Sequence, residues 1–513
     1  MQTLLLLKPL SASLALTRNL LNLRMSQTAS YSKVLFDKAY VNGKWVSASS
    51  GKTYKVINPS NGKVIASVPD MDAKDTTAAI QSAYTAFQTW KKTTGKERSA
   101  IMKKWYALMV ENKSDLAHLL TLENGKPYAD ALGEVTYGSN FCEWYAEEAR
   151  RIYGEIIPSP IPTKRLLVLR QPVGVCGMIT PWNFPNAMVT RKACAALAAG
   201  CTVVIKPAED TPLSALALCD FAEKAGVPPG VFNVVTCDRS NAPSVGKVLC
   251  ESPLVTAISF TGSSATGKIL LQQSASTVKK CSMELGGNAP FIVFNSANLD
   301  AAVAGTIACK FRCSGQTCVC ANRILVQEGI YDAFVKKLST AIDKELRIGD
   351  GMEEGTTQGP LINSKAVEKV DGLVQDALKQ GAIAIRGGKR HPRGPNFYEP
   401  TLLSNVTLNM RCVTEEIFGP VAPIVKFRTE EEALTIANGT SAGLAGYLYT
   451  QDLGQVWRVA EGLDFGIVGV NEGIISAPET PFGGFKESGL GREGGKYGID
   501  DFIEIKYVCI GGL

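Results

Sequence analysis

Apolar positions recur at three- and four-residue spacing through residues 75–90 and 96–112, which predicts amphipathic helices from about residue 70 to 150. The period then changes. Residues 152–157, a Pro/Ser turn and residues 166–169 predict two strands joined by a loop. Strands and helices alternate after that. Residues 173–179, 202–205, 231–235 and 257–260 predict buried strands. Residues 186–199, 211–225 and 242–250 predict the helices between them, the first two closed by Gly200 and Gly226. Such alternation implies a parallel sheet with helices on its faces. It resumes at 290–293, 300–312, 323–326 and 335–346, so two α/β units meet near residue 285 without a low-complexity linker. A final strand is predicted over 502–508.

Composition changes this picture little. At roughly 100–200 residues per domain, 513 residues suggest two to four domains. No apolar run reaches the ~18 residues of a membrane span. The formal charge of +6 is partly local, because the first 36 residues hold Lys8, Arg18, Arg24 and Lys33 and no acid. The remainder is close to neutral and has no basic stripe interleaved with aromatics, so nucleic acid is not an expected partner. The basic, Leu/Ser/Thr-rich start has the pattern of a mitochondrial transit peptide over 1–32. Residues 4–7, all leucine, suggest a secretory core, but Lys8 interrupts it and Arg18 and Arg24 lie on its wrong side. A leader without an address is the plainer alternative, and Met25 offers a second start.

Fourteen cysteines are scattered along the chain, several in apolar stretches (Cys176, Cys194, Cys201, Cys219), and read as reduced core thiols. His118 and His391 are the only histidines and neither has a partner at metal-ligand spacing, so no metal site is expected. If a cysteine is the nucleophile, its base is a carboxylate.

Three strings suggest chemistry: Ile179-Thr180-Pro181-Trp182-Asn183-Phe184-Pro185, Glu284-Leu285-Gly286-Gly287-Asn288 and Gly315-Gln316-Thr317-Cys318. Taken singly, Cys318 reads as a buried structural thiol, Glu284 as a solvated acid and Asn183 as a turn residue. In this order, with Glu284 and Cys318 34 residues apart, they resemble the aldehyde dehydrogenase superfamily. Lys206-Pro207-Ala208-Glu209, Phe260-Thr261-Gly262-Ser263, Glu415-Glu416-Ile417-Phe418-Gly419-Pro420 and Pro481-Phe482-Gly483-Gly484 extend the resemblance from about residue 35 to the end.

The resemblance implies a Rossmann-type NAD-binding domain (33–150 and 173–285), an α/β catalytic domain (286–496) and a small β oligomerisation arm (151–172 and 497–513). The arm implies a homo-oligomer, a dimer or a tetramer built as a dimer of dimers. Cys318 matches the family nucleophile, which makes the aldehyde carbon tetrahedral so that hydride can leave toward NAD. Asn183 matches the oxyanion donor. Glu284 matches the base that activates water on the thioester, which favours release of the free acid over transfer to coenzyme A.

Cofactor contacts are carried over to Trp182, Lys206, Glu209, Gly262, Ser263, Glu416 and Phe418. Glu209 would accept from ribose hydroxyls and repel a 2′-phosphate, favouring NAD over NADP. Gly489-Leu490-Gly491-Arg492-Glu493-Gly494 spells a dinucleotide fingerprint, but no strand is expected before it, so it reads as a decoy. The string from Gly262 to Lys268 nearly spells a P-loop, yet Ile269 stands where Ser or Thr would hold magnesium.

Arg191, Arg312 and Ser476 resemble the carboxylate-binding residues of the branch acting on succinate semialdehyde, whose mitochondrial NAD-dependent members complete 4-aminobutyrate breakdown. Taken alone, both arginines read as surface or ion-pair residues. Another semialdehyde, such as that of glutarate, would satisfy the same arginines. An idle binding protein on this fold would be expected to lack Cys318 or Glu284. Cys320, two residues from the nucleophile, reads as a packed thiol in the resting protein and as a candidate redox partner of Cys318, with Cys313 a rival.

Overall fold

The computed structural model describes residues 31–512; the leader read over 1–32 lies almost wholly outside them. Five parallel strands form the centre of the first sheet, in the order Phe232–Val234, Thr202–Lys206, Val175–Ile179, Val255–Thr261 and Lys280–Glu284. Continuous apolar or small residues build them. Val175–Ile179 and Thr202–Lys206 are buried at every position, as strands covered on both faces must be. Helices Ala187–Ala199 and Leu213–Ala225 end where Gly200 and Gly226 take left-handed backbone.

A second, seven-stranded sheet has Ala321–Gln327 at its centre, flanked by Ala289–Val293 and Val421–Phe427 in parallel. A third sheet pairs Ile503–Ile510 with all of Arg165–Pro172, with Glu155–Ile157 on the far side. The two large sheets meet tail to head. Asn183, Glu209, Ser263 and Glu284 follow or close the carboxyl ends of strands in the first sheet. Gly287, Cys318 and Glu416 precede the amino ends of strands in the second. Ligands of open parallel sheets bind beyond the carboxyl ends, so this junction is where a site belongs.

The structure departs from the sequence reading in three places. Residues 39–69 form two antiparallel pairs, Ala39–Val41 with Lys44–Val46 and Thr53–Ile57 with Val64–Pro69, which the helical reading from residue 70 passed over. Asn42 and Gly43 both have positive φ, so the first is an Asn-Gly hairpin. The strand expected over 152–157 is only Glu155–Ile157, because Tyr153 N–H turns back to the Arg151 carbonyl. A short strand, Phe485–Lys486, does precede the Gly489 string, and Gly489–Leu490 joins the edge of the first sheet with Gly489 opposite Glu284. The string is therefore part of the site's frame rather than a bystander.

Candidate active site

Cys318 lies on the loop between helix Leu299–Phe311 and strand Ala321–Gln327. The loop begins with a left-handed run, Cys313, Ser314 and Gly315, at φ 51°, 57° and 73°. Side chains hold it from outside. Asp130 accepts from Cys313 N–H at 3.0 Å, Ser314 Oγ donates to the Gly359 carbonyl at 2.8 Å, and Gln316 Oε1 accepts from Ile362 N–H at 2.9 Å. A Cβ at Gly315 would lie 2.2 Å from the Gly419 carbonyl oxygen. Gly315→Ala is therefore expected to cost about 1–3 kcal/mol in stability and to lower turnover. Thermal denaturation and initial rates check both, and an unchanged Tm would refute the steric argument.

The Cys318 thiol is half-buried among carboxylates. Burial pushes its pKa up to about 12, and the opposing pull of Arg191 does not offset that. Asn183 arrives from the other sheet. Its Nδ2 donates to the Gln316 carbonyl at 3.0 Å, which leaves its second amide proton free for an oxyanion beside the sulfur. Lys126 Nζ donates to the Asn183 carbonyl at 2.7 Å, and Asn124 Nδ2 to the Trp182 carbonyl at 2.9 Å.

Glu284 is 2% exposed, and neither carboxyl oxygen has a hydrogen-bond partner. Burial raises its pKa well above the usual range, and the nearby Glu493 raises it further. Glu493 is itself buried between Arg191 and Lys192, in close ion pairs with both. Burial disfavours its charge, but the two cations outweigh burial and hold it ionised.

Two chambers meet at Cys318 and Phe482. The larger, about 340 Å³, runs past Trp182, Asn183, Gly262, Ser263, Glu284, Glu416 and Phe418 to Arg239. Ser263 caps helix Ser264–Ser274, accepting from Thr266 N–H at 3.3 Å, and the other amino-terminal N–H groups of that helix face an anion site. Glu416 Oε1 accepts from Gly287 N–H at 3.0 Å, and the Trp182 and Phe418 rings meet edge-on at 5.5 Å. Lys206 and Glu209 stand at the end of Thr202–Lys206, 3.4 Å apart, and Arg239 Nε reaches Glu209 at 2.9 Å. Burial opposes ionisation of Glu209, yet Lys206 and Arg239 keep its carboxyl below the ordinary range. An acid at the end of the strand beside the first fits a ribose. The groove thus offers an N–H cradle at its middle and ends at Arg239, beside which Glu209 stands just outside the lining, an arrangement that suits a dinucleotide.

The smaller chamber, about 210 Å³, brings together Arg191, Arg312 and Ser476 with Cys318, walled by Tyr137, Phe184 and Met188. Arg191 lies over the Phe482 ring, 4.3 Å from its centroid. Its Nη2 is buried with no acceptor in the protein. Arg312 stands 5.9 Å from the Phe184 ring centroid and has no carboxylate at ion-pair distance among the described residues. All fourteen cysteines are free thiols; Cys320 points at the Lys310 carbonyl, 3.8 Å away, and lines neither chamber. Neither His118 nor His391 lines a chamber.

Sequence reasoning missed Lys126, Glu134, Tyr137, Lys192, Arg239 and Glu493. Glu493 was within reach, since it sits in a string already singled out. The others carried no local signal.

The family model described as the aldehyde dehydrogenase family matches residues 45–508. The chain is 60% identical over 483 residues to the mitochondrial succinate-semialdehyde dehydrogenase of Rattus norvegicus, covering 94% of this chain and 92% of that one. Among solved structures it resembles an E. coli NADP-dependent enzyme, at 54% identity and TM-score 0.92, covering 94% of this chain and 99% of that one. It also resembles the betaine aldehyde dehydrogenase of Staphylococcus aureus in complex with NAD+, at 34% identity and TM-score 0.91, covering 94% and 97%.

Proposed function

The chain belongs to the aldehyde dehydrogenase family, and from that premise we propose that it oxidises succinate semialdehyde to succinate, the last step of 4-aminobutyrate degradation. NAD+ and water are consumed; NADH and protons are released. The observation that carries the substrate is the smaller chamber: a buried, unpartnered N–H of Arg191 and, beside the nucleophile, an Arg312 with no carboxylate at ion-pair distance among the described residues. Unsatisfied buried donors and a lone cation are costly unless a ligand supplies acceptors. A carboxylate two methylenes away from an aldehyde supplies them. The hydroxyl of Ser476 adds a donor.

In the proposed mechanism, Cys318 gives its thiol proton to solvent and the thiolate sulfur attacks the aldehyde carbon. The Asn183 amide donates to the oxygen that becomes negative. Bound NAD+ supplies the acceptor for the hydride that leaves the tetrahedral carbon. Glu284 then takes a proton from water as its oxygen attacks the thioester, and Cys318 leaves as thiolate. The residues fit that cofactor: the helix amino terminus behind Ser263 suits a pyrophosphate, and the ionised Glu209 suits ribose hydroxyls while opposing a 2′-phosphate.

The reading is tested by initial rates of NADH formation with succinate semialdehyde against butanal, which has the same chain length without the carboxylate. Arg312→Ala is expected to lower kcat/KM for the semialdehyde by about 30–100-fold, the loss of one charge-assisted contact of ~2–3 kcal/mol, and to spare butanal. Equal rates for both aldehydes in the unaltered enzyme would sink the substrate assignment and leave the cysteine chemistry standing.

The same family reading supports a mitochondrial location, with the matrix as its finer form. It also supports a homotetramer assembled through the third sheet, where Ile156, Ile505 and Tyr507 are 77%, 68% and 59% exposed. No helix among the described residues is long and apolar enough to cross a membrane.

A further inference from the structure

Helix Tyr128–Glu148 contributes nothing to the chemistry above, yet three of its side chains touch three different working parts. Asp130, Glu134 and Tyr137 are spaced four and three residues apart, which puts them on one face. All three line the smaller chamber. Asp130 accepts from Cys313 N–H at 3.0 Å, at the left-handed start of the nucleophile loop. Glu134 is fully buried and bridges two elements. One oxygen forms a close ion pair with Lys126, which in turn donates to the Asn183 carbonyl at 2.7 Å. The other accepts from Asn186 N–H at 2.9 Å and Ala187 N–H at 3.3 Å, capping the helix that carries Arg191. Tyr137 lines the chamber beside Arg191; burial raises its hydroxyl pKa and the nearby guanidinium opposes that rise.

We infer that Asp130, Glu134 and Tyr137 are positioning residues: one helical face sets the mutual placement of nucleophile loop, oxyanion donor and carboxylate-binding arginine. The inference rests on the site reading given above. Its physical basis is that the nucleophile loop comes from one sheet unit, while Asn183 and Arg191, eight residues apart on one segment, come from the other and are joined to it by the Asn183 Nδ2 hydrogen bond to the Gln316 carbonyl. Nothing in either sheet fixes their distances to within the few tenths of an ångström that reaction requires. A helix is stiff, and its residues three and four apart keep a constant spacing. Contacts from one such face to each part, hydrogen bonds from Asp130 and Glu134 and shared chamber lining from Tyr137, transfer that constancy to the site. Misplacement near 1 Å costs about 100-fold in rate, so three weak contacts have large leverage. The pairing of Glu134 with Lys126 also offsets that one carboxylate in a chamber that must admit another, so Glu134 aligns the site with little repulsion of substrate.

Each contact predicts its own signature. Glu134→Gln is expected to lower kcat by about 10–100-fold with the semialdehyde KM within about threefold, because Lys126, which holds Asn183, loses its carboxylate, while the amide oxygen can still cap the helix that carries Arg191. Tyr137→Phe is expected to raise KM for the semialdehyde about tenfold more than KM for butanal. Asp130→Ala is expected to change the rate of Cys318 alkylation by iodoacetamide at least about threefold, a readout that needs no turnover. Because Glu134→Gln strands the Lys126 charge, the double variant Lys126→Met, Glu134→Gln is the control. Removing both charges should return Tm toward that of the unaltered protein while kcat stays low. A common loss of kcat and gain in KM in all three single variants, tracking Tm, would reduce the stripe to ordinary packing and overturn the inference. So would full kcat in a folded double variant. Turnover surviving in Cys318→Ala would overturn the site reading beneath it, a failure separable from the other two.

Discussion

Replacing Cys318 by alanine is expected to abolish NADH formation, by about 10⁴-fold or more, while direct NAD+ binding stays within a factor of a few. The size follows from what the sulfur does. Hydride cannot leave a planar aldehyde carbon, and no other nucleophile reaches both chambers: Cys313 lines only the smaller one, and Cys320 lines neither. The half-buried thiol can be trimmed to a methyl without collapsing the loop, whose left-handed run is held by Asp130, Ser314 and Gln316 rather than by the sulfur. Isothermal titration with NAD+ separates loss of chemistry from loss of fold. The thiol pKa of about 12 adds a sign. Burial keeps the resting group protonated, so alkylation of Cys318 by iodoacetamide should accelerate as pH rises from 6 toward 10. A flat alkylation profile across that range would contradict the burial argument.

Glu284→Gln is expected to separate the two halves of the reaction. NADH should appear as a burst of about one equivalent per site, followed by turnover lowered about 10²–10⁴-fold, the range of a general base. The amide is isosteric and can still occupy the pocket, but it cannot take a proton from water. Burial first, and Glu493 second, raise the Glu284 pKa. Below the raised pKa the carboxyl holds its proton and is inactive as a base; above it the carboxylate forms. Turnover limited by thioester hydrolysis should therefore climb with pH through that pKa, and the climb should vanish in Glu284→Gln. Stopped-flow mixing resolves the burst. A variant with unaltered steady-state turnover, or one whose burst is lost as well, would remove Glu284 from the hydrolytic step.

Much of this was legible in the chain because the relevant signals are local. Gly200 and Gly226 close helices after continuous apolar strands, and that punctuation gives the parallel sheet directly. The order of the strings around Asn183, Glu284 and Cys318 points to one site. What was illegible is what long-range packing decides. Glu493 lies in a glycine string that reads as a decoy, yet the string folds back along Glu284 and buries it against Arg191 and Lys192. Arg191 was weighed as either substrate ligand or ion-pair partner. The structure makes it an ion-pair partner through Nε and leaves Nη2 bare, an outcome that no spacing rule separates. Lys126 and Glu134 show only eight-residue spacing on a helical stretch, and nothing in that spacing says that Asn183 hangs from them. The hairpin at Asn42-Gly43 was readable and was passed over because its strands are three residues long.

The nucleophile loop is a partition with a mouth on each side. The chamber proposed for the dinucleotide and the chamber proposed for the aldehyde share only Cys318 and Phe482 in their linings. Neither molecule has to clear the path of the other. The spent dinucleotide can therefore drift out while the acyl chain still hangs on the sulfur, and water can take the vacated space beside Glu284. Traffic through such a partition is governed by how tightly each door holds its guest, so a change made at one mouth should alter the waiting time there without resetting the queue at the other.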